Sequence, residues 1–483
     1  MRKTILLFAV SLMVSAAGAR VRLANVFSDN MVLQREKPLN VWGTADAGER
    51  ITVRTKGQTV RTVADNDGRW SVRLQPMRTS AKPVRFSVSG DDSRIDLRGV
   101  LVGEVWLASG QSNMEYSMNN HPQYKKPKKG DPDRLLHEYE QAANPMIRIM
   151  YVRKDLKQDT LPTAGWQTLS RESLKPFSAV AYFFAKSLQD SLGVPVGVIS
   201  SSWGGTAIET WTPAEAYRES REFGPKMDGN RLTTNGEDVG WRYRKMIEPV
   251  APMAMRGVLW YQGETNLILG DTDAYTEKMR LLVESWRKAW GDTSLPFYYV
   301  QISPFMYSAR KSDRVAKTWQ DLPRFWDAQT RVKDVVPGTG MVVTTDIPEN
   351  LRDIHPPYKW IVGERLARLA LNMTYGRKDV VCCGPSLKSI TAEDDSLVVE
   401  FGNTGSGLTT RDGKAPDWFY ALTKKNRYSK VKADLRGGKV YVSREGLPRN
   451  TVLRFGWDET AQPNLINREG LPAVPFCRKV MAE

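Results

Sequence analysis

The chain has 483 residues, of which 41% are apolar and 26% charged. This length is more than one hydrophobic core organises, so we expect roughly two to four domains, and the composition excludes a largely disordered protein. Lysines and arginines number 70 against 54 acidic residues, a formal charge of +16. The concentrated basic run at 125–129 is followed by acidic residues, which favours a solvated loop over a nucleic-acid site.

The N-terminus has the pattern of a secretory signal peptide. Arg2 and Lys3 precede an apolar stretch at 5–14, and small residues follow at 17–19. We expect residues 1–19 to be removed after Ala19 and the protein to be exported, becoming periplasmic or secreted. No later segment has the ~18–20 uninterrupted apolar residues of a membrane-spanning helix, so no membrane contact is expected after cleavage.

Two regions have short apolar alternations separated by turn residues, the pattern of antiparallel β-structure. The first is an N-terminal β-domain at 20–99, and the second is a C-terminal β-domain at 381–483. Both are expected to be β-sandwich regions. Their predicted strands lie at 39–43, 51–53, 65–72, 396–401, 439–442 and 451–455.

The middle of the chain, 100–380, alternates near-continuous apolar strands with helical stretches. This pattern predicts a parallel sheet buried on both faces, a doubly wound α/β domain, with a polar insertion at about 117–145. Predicted strands lie at 101–108, 147–152, 194–200, 257–262, 296–302 and 340–345, and helices at 178–192, 272–290 and 359–372. Ligands bind beyond the carboxyl ends of such strands.

Polar residues and glycines follow these strand ends. Ser112 comes after the first strand in a tight turn that opens a helix, where backbone N–H groups would stabilise a developing oxyanion. Gly204 and Gly205 come after the third strand and would let a backbone N–H approach a substrate closely. Taken alone each segment also fits a plain turn or helix cap, but their shared position favours one functional site.

Histidine is scarce, with 3 residues in the chain. A serine nucleophile needs a base, usually histidine. His121 and His137 lie in the polar insertion, whereas His355 follows a core strand. His355 is therefore the candidate base for Ser112, and Asp353 on the same loop is placed to orient its imidazole.

Four segments together resemble the successive blocks of the sialate O-acetylesterase family within the SGNH (GDSL-like) hydrolases. They are GQSNM at 110–114, SWGGT at 202–206, WYQGE at 260–264 and DIHP at 353–356. The resemblance extends to 31–35, 41–43 and 467–472, so it covers almost the whole mature chain. It implies a flavodoxin-like SGNH hydrolase domain flanked by the two β-regions.

The resemblance implies the catalytic roles. Ser112 would be the nucleophile, His355 the base and Asp353 the orienting acid. Glu264 is the alternative acid, because this chain resembles related acetylxylan esterases that use a glutamate at this place. Asp353 and Glu264 could also share the task.

The resemblance also implies an oxyanion hole. Its donors would be the N–H groups of Ser112 and Gly205, or of Gly204, and the side chain of Gln262. Gln262 stands where the superfamily carries a Gly-x-Asn-Asp sequence, so its assignment rests on a departure from the pattern. Gly204 and Arg352 are expected to contact the substrate.

The implied reaction is removal of acetyl groups from sugars. O-acetylated sialic acids are the first candidate substrates, because their carboxylate would be attracted by a basic protein and by Arg352. Acetylxylan or another hemicellulose is the alternative substrate. A non-catalytic carbohydrate-binding protein is the alternative of another class, since the 15 Trp and 17 Tyr side chains include candidates for stacking on sugars. No metal or organic cofactor is expected and no nucleic-acid partner, and the sequence leaves the oligomeric state open.

Overall fold

A computed structural model describes residues 20–119, 127–128, 130–154, 160–226, 233–311, 313, 315–393 and 395–480. The predicted signal peptide at 1–19, His121 and most of the basic run at 125–129 lie outside the described residues. Within these ranges, no helix combines the length and apolar character needed to cross a membrane.

The N-terminal region is built mainly of antiparallel strands, as the alternating pattern predicted. Its strands are β1 Arg22–Leu23, β2 Val32–Gln34, β3 Leu39–Thr44, β4 Arg50–Thr55, β5 Gln58–Val63, β6 Arg69–Leu74, β7 Ser80–Ser89 and β8 Arg94–Gly110. β3 lies between β1 and β6 in one sheet, while β4 pairs with β5 and β7. β2, in contrast, pairs parallel with β8. The segment at 65–72 consists of a turn through Gly68, with φ +70°, followed by β6, which begins at Arg69.

β8 is 17 residues long and belongs to two layers of structure. Its first part pairs with β7 and β2, and its last part lies at the centre of the parallel sheet. At the junction, buried Glu104 binds the guanidinium groups of Arg35 and Arg256. The domain boundary predicted between residues 99 and 100 falls inside this strand.

The central sheet contains every parallel strand that the sequence predicted. The strands after β8 are β9 Ile147–Val152, β10 Thr163–Thr168, β11 Val196–Ser202, β12 Thr233–Thr234, β13 Glu237–Asp238, β14 Gly257–Tyr261, β15 Phe297–Val300 and β16 Thr339–Val342. The order is β10-β9-β11-β8-β14-β15-β16. The strands in this order are parallel except β10, an edge strand that pairs antiparallel with β9 and was not predicted. β12 and β13 form a separate antiparallel pair.

Helices cover both faces of this sheet. They are α1 Ser112–Glu115, α2 Arg134–Glu140, α3 Arg171–Leu174, α4 Ala179–Leu192, α5 Ala214–Glu219, α6 Glu264–Ile268, α7 Tyr275–Trp290, α8 Asp321–Val335 and α9 Lys359–Leu369. Short 3-10 and π turns lie at Ile208–Trp211, Gly224–Lys226, Tyr243–Ile247, Tyr307–Ala309 and Ala370–Thr374. Val105 and Leu107 of β8 share a core with α7 and α8, while Trp106 and Ala108 share another with α4 and α9. This division follows from the alternation of side chains along a strand.

The predicted polar insertion at 117–145 contains α2. Leu135 and Tyr139 of this helix are buried beside α4, whereas His137 is exposed and lies 3.0 Å from the Asp131 carboxylate. Leu135 and Tyr139 therefore anchor α2, and His137 lies on its exposed side.

The C-terminal region forms two four-stranded antiparallel sheets, in the orders β17-β18-β23-β22 and β21-β20-β24-β26. The strands are β17 Ser386–Ala392, β18 Ser396–Gly402, β19 Leu408–Thr410, β20 Phe419–Leu422, β21 Tyr428–Lys430, β22 Ala433–Arg436, β23 Lys439–Ser443, β24 Val452–Phe455, β25 Leu465–Asn467 and β26 Phe476–Lys479. Val399 from the first sheet and Phe455 from the second lie in one core. The three strands predicted here are confirmed.

Candidate active site

The carboxyl ends of β8 and β14 meet where the serine turn begins. Gly110 has φ +138°, and a Cβ added to it would lie 2.2 Å from the Tyr261 carbonyl oxygen. The Gln111 N–H donates to that same oxygen at 3.0 Å. Only glycine permits this approach, and the turn places Ser112 as the first residue of α1.

The structure brings Ser112 and His355 together. His355 Nε2 lies 2.9 Å from Ser112 Oγ, which is within reach for proton transfer. Both residues line a cleft of about 370 Å³, together with Glu115, Tyr116, Ser117, Tyr151 and Pro176. The pair has the geometry of an activated nucleophile and its base.

Asp353 lies on the histidine loop, as predicted. Its Oδ1 accepts a hydrogen bond from the His355 backbone N–H at 3.1 Å. Burial, with the negative charge of Asp353 adding to it, raises the pKa of Tyr116 to about 12. The Asp353 charge therefore acts on Tyr116, a side chain that lines the cleft.

Glu264 is buried at the start of α6 and contacts a different partner. Its Oε1 accepts from Asn113 Nδ2 at 2.6 Å, and its Oε2 makes no hydrogen bond to any described residue. Burial raises the pKa of this carboxyl group. The hydrogen bond of Glu264 thus leads to Asn113, whereas Asp353 lies on the histidine loop itself.

The Gly204–Gly205 turn adjoins the nucleophile. A Cβ added to Gly204 would lie 3.1 Å from Ser112 Cβ, and the Gly204 N–H donates to Glu115 Oε2 at 2.5 Å. Gly205 has φ +73°. Among the described residues, no acceptor takes the N–H of Gly205 or of Ser112, whereas the Gly204 N–H is engaged by Glu115.

Gln262 is buried and its amide is fully engaged. Nε2 donates to the Thr206 carbonyl at 3.1 Å and to Asn266 Oδ1 at 2.7 Å, and Tyr275 Oη donates to Oε1 at 2.8 Å. Since a primary amide has two N–H donors, neither is left for an oxyanion. The predicted donor role of Gln262 would need these bonds to break, and in this geometry the residue instead supports the turn after β11.

Arg352 is exposed, and its backbone N–H donates to Asn350 Oδ1 at 3.0 Å. Arg352 is not one of the described residues that line the cleft. The predicted contact between Arg352 and an anionic substrate therefore has no counterpart in the cleft geometry.

Several residues of the site were not predicted from the sequence. Glu115 binds Lys154 as well as the Gly204 N–H, and Lys154 lies just beyond the end of β9, so the strand-end rule contained a signal for it. Asn113 and Lys359 are fully buried. Burial lowers the pKa of Lys359 to about 7, although Glu264 and Asp353 oppose the shift.

Comparison with known proteins identifies the family. The model for sialic acid-specific acetylesterases, a group of carbohydrate esterases, matches residues 102–372. The chain belongs to this family. This acetylesterase family member is 30% identical over 405 residues to the sialate O-acetylesterase of Homo sapiens, an alignment that covers 77% of this chain and 74% of the human protein.

Two further relatives cover more of the chain. The sialate O-acetylesterase of Mus musculus is 28% identical over 448 residues, covering 80% of this chain and 79% of the mouse protein. A solved carbohydrate acetylesterase from Xanthomonas citri matches with a TM-score of 0.82 and 32% identity, covering 95% of this chain and 99% of that chain. As a member of the sialic acid-specific acetylesterase family, the protein is a carbohydrate esterase.

Proposed function

We propose that the protein is a serine esterase that removes O-acetyl groups from sugars, with O-acetylated sialic acids as its substrates. The observation that carries the proposal is the 2.9 Å contact between His355 Nε2 and Ser112 Oγ in a cleft within the segment that matches the family. A non-catalytic carbohydrate-binding role would not account for this pair.

The reaction follows from the geometry. His355 takes the proton of Ser112 Oγ as the oxygen attacks the acetyl carbonyl carbon, and the N–H groups of Ser112 and Gly205 stabilise the oxyanion. His355 then gives the proton to the departing sugar oxygen. Water, activated by the same imidazole, hydrolyses the acetyl-enzyme and releases acetate.

Asp353 is assigned as the acid that orients His355 and stabilises the imidazolium. Its place on the histidine loop supports this role, and the engagement of Glu264 with Asn113 argues against the alternative. Gly204 is assigned to substrate contact, because it adjoins Ser112.

The proposed architecture is a doubly wound, flavodoxin-like SGNH hydrolase domain at about 100–380, with β-sandwich regions at 20–99 and 381–483. The strands β11-β8-β14-β15-β16 support it, because these five follow the second-first-third-fourth-fifth order of flavodoxin-like sheets, with β9 and β10 added at the β11 edge. β8 would be shared between the first two regions. We further propose that residues 1–19 direct export to the periplasm or medium, so N-terminal sequencing of the mature protein should begin at Arg20.

The sugar is the finer part of the proposal. Curated relatives from several mammals are sialate O-acetylesterases, and a net charge of +16 favours an anionic sugar. Acetylated xylan or another hemicellulose is the second candidate, because Glu115, which lines the cleft, is an acid paired with Lys154. A neutral sugar needs no cation there.

The experiment compares wild type and Ser112→Ala on 4-nitrophenyl acetate, 9-O-acetyl sialic acid and acetylated xylan. We expect Ser112→Ala to lose at least about 10³-fold in kcat, and a fluorophosphonate probe to label wild type but not the variant. Full activity of Ser112→Ala contradicts the nucleophile assignment. Faster hydrolysis of xylan replaces the sialate assignment, and absence of both hydrolysis and labelling supports a non-catalytic protein.

A further inference from the structure

The buried side chain of Asn113 links several segments that form the site. Asn113 follows Ser112 directly on α1 and is fully buried. Its Nδ2 donates to Glu264 Oε1 at 2.6 Å and to the Ile354 carbonyl at 3.0 Å, and its Oδ1 accepts from Lys359 Nζ at 2.5 Å. One amide therefore joins the nucleophile helix, the start of α6, the histidine loop and the start of α9.

The partners of Asn113 allow its amide one orientation. The Ile354 carbonyl oxygen can only accept a hydrogen bond, so Asn113 Nδ2 must face it whatever the protonation of Lys359 and Glu264. The flipped amide would turn its oxygen toward the Ile354 carbonyl oxygen and lose that bond. With one N–H on Glu264, the second N–H is directed to the Ile354 carbonyl, which lies between Asp353 and His355.

Stability alone does not account for Glu264 and Lys359. Both side chains are almost completely buried, and Glu264 Oε2 has no hydrogen-bond partner among the described residues. Lys359 Nζ lies 4.7 Å from the Tyr116 ring centroid and 5.7 Å from that of Tyr261, two contacts that offset part of its desolvation. Buried ionisable pairs are often no more stable than apolar side chains of similar volume, so a geometric role is the better explanation.

We propose that Asn113 is a positioning residue for the esterase reaction. It holds the peptide that precedes His355 and thereby sets the approach of His355 Nε2 to Ser112 Oγ, while Glu264 and Lys359 fix the orientation of its amide. The inference rests on Ser112 and His355 being the catalytic pair. It gives Glu264 a role through Asn113 instead of through His355.

The first test removes the amide. In Asn113→Ala the histidine loop loses its bond to the nucleophile helix, and a misplacement of about 1 Å costs about 10²-fold in rate. We expect kcat to fall by about that factor, with KM within about threefold of wild type, because no substrate contact is removed. Thermal unfolding of each variant identifies any protein that is not folded.

Glu264→Gln and Asp353→Asn form a matched pair of isosteric changes. The side chain introduced by Glu264→Gln would still offer an amide oxygen to Asn113, so we expect kcat to fall only about two- to fivefold, the order expected for a weakened hydrogen bond. Asp353→Asn removes the charge behind His355 and should cost about 10³- to 10⁴-fold. Lys359→Met removes the donor that fixes Asn113 Oδ1 and should lower kcat about tenfold.

A double variant separates positioning from stability. Asn113→Asp keeps the bond from Lys359 but turns an oxygen toward Glu264 and toward the Ile354 carbonyl. Adding Glu264→Gln supplies a donor to the new carboxylate, so the double variant should regain most of the melting temperature that Asn113→Asp loses. Its kcat should stay low, because the bond to Ile354 is still absent.

The outcomes that overturn the inference are distinct from failure of the proposed function. A folded Asn113→Ala or Asn113→Asp with kcat within threefold of wild type overturns it. So does a loss in Glu264→Gln as large as that in Asp353→Asn, which would make Glu264 the orienting acid. If Asn113→Ala does not fold, undiminished kcat in Lys359→Met overturns it. An active Ser112→Ala would instead refute the nucleophile assignment.

Discussion

Lys359 should make the stability of the protein depend on pH in a definite window. Burial lowers the pKa of this amine to about 7 in the folded protein, against about 10.4 in an unfolded chain. Between these values the unfolded state binds more protons than the native state, so the free energy of unfolding rises with pH. Below about pH 7 both states hold the proton, and this contribution to the slope disappears.

The size of the effect follows from the shift. Each pH unit inside the window is worth about 1.4 kcal/mol, so the change from pH 7.5 to 9.0 should stabilise wild type by about 2 kcal/mol relative to Lys359→Met. For a cooperative unit of about 250 residues this corresponds to roughly 4 °C in melting temperature. Lys359→Met lacks the titrating group and should show none of this rise.

The assay is thermal unfolding of wild type, Lys359→Met and a control at pH 7.5 and 9.0. Lys186→Met is the matched control, because the Lys186 side chain is 38% exposed and the same charge is removed. The control should change with pH in parallel with wild type. If Lys359→Met also runs parallel to wild type, the amine is not buried as a neutral group and the reasoning is refuted.

Two further predictions concern the turn after β11 and the junction within β8 at Glu104. Gly204→Ala should lower kcat about tenfold in a folded protein, because the added Cβ would lie 3.1 Å from Ser112 Cβ; steady-state kinetics unchanged from wild type would contradict this contact. Glu104→Gln should lower the free energy of unfolding by about 3 kcal/mol, since it leaves Arg35 and Arg256 without their buried carboxylate. Denaturant unfolding measures the loss, and kcat of the folded variant should match wild type.

The strands were predictable where local pattern and burial agree. Apolar runs such as 147–152 have the same bounds as the observed β9, because a strand covered on both faces needs apolar residues throughout. Other elements were missed, and β10 and α8 show why. β10 is an edge strand with few apolar residues, so its pairing with β9 depends on position in the sheet and not on its own composition. α8 carries Pro323 near its start, which breaks the local pattern although proline is tolerated in a first turn.

The pairing of Ser112 with His355 was predictable from general chemistry, since few histidines are available and strand ends converge in parallel sheets. The engagement of the Gln262 amide in hydrogen bonds could not be predicted. Whether an amide is free depends on three partners, Thr206, Asn266 and Tyr275, which are brought together only by the fold. The burial of Lys359 likewise depends on the fold. From the sequence alone, a lysine at the start of a helix is expected to be solvated.

The shared strand β8 bears on how the protein holds together over time. A strand whose two ends are hydrogen-bonded into different sheets transmits unfolding from one sheet to the other, so the amides from Arg94 to Gly110 should open as one cooperative block. The N-terminal region is then not a detachable appendage of the esterase. It holds the first part of β8, the strand whose carboxyl end leads into the serine turn.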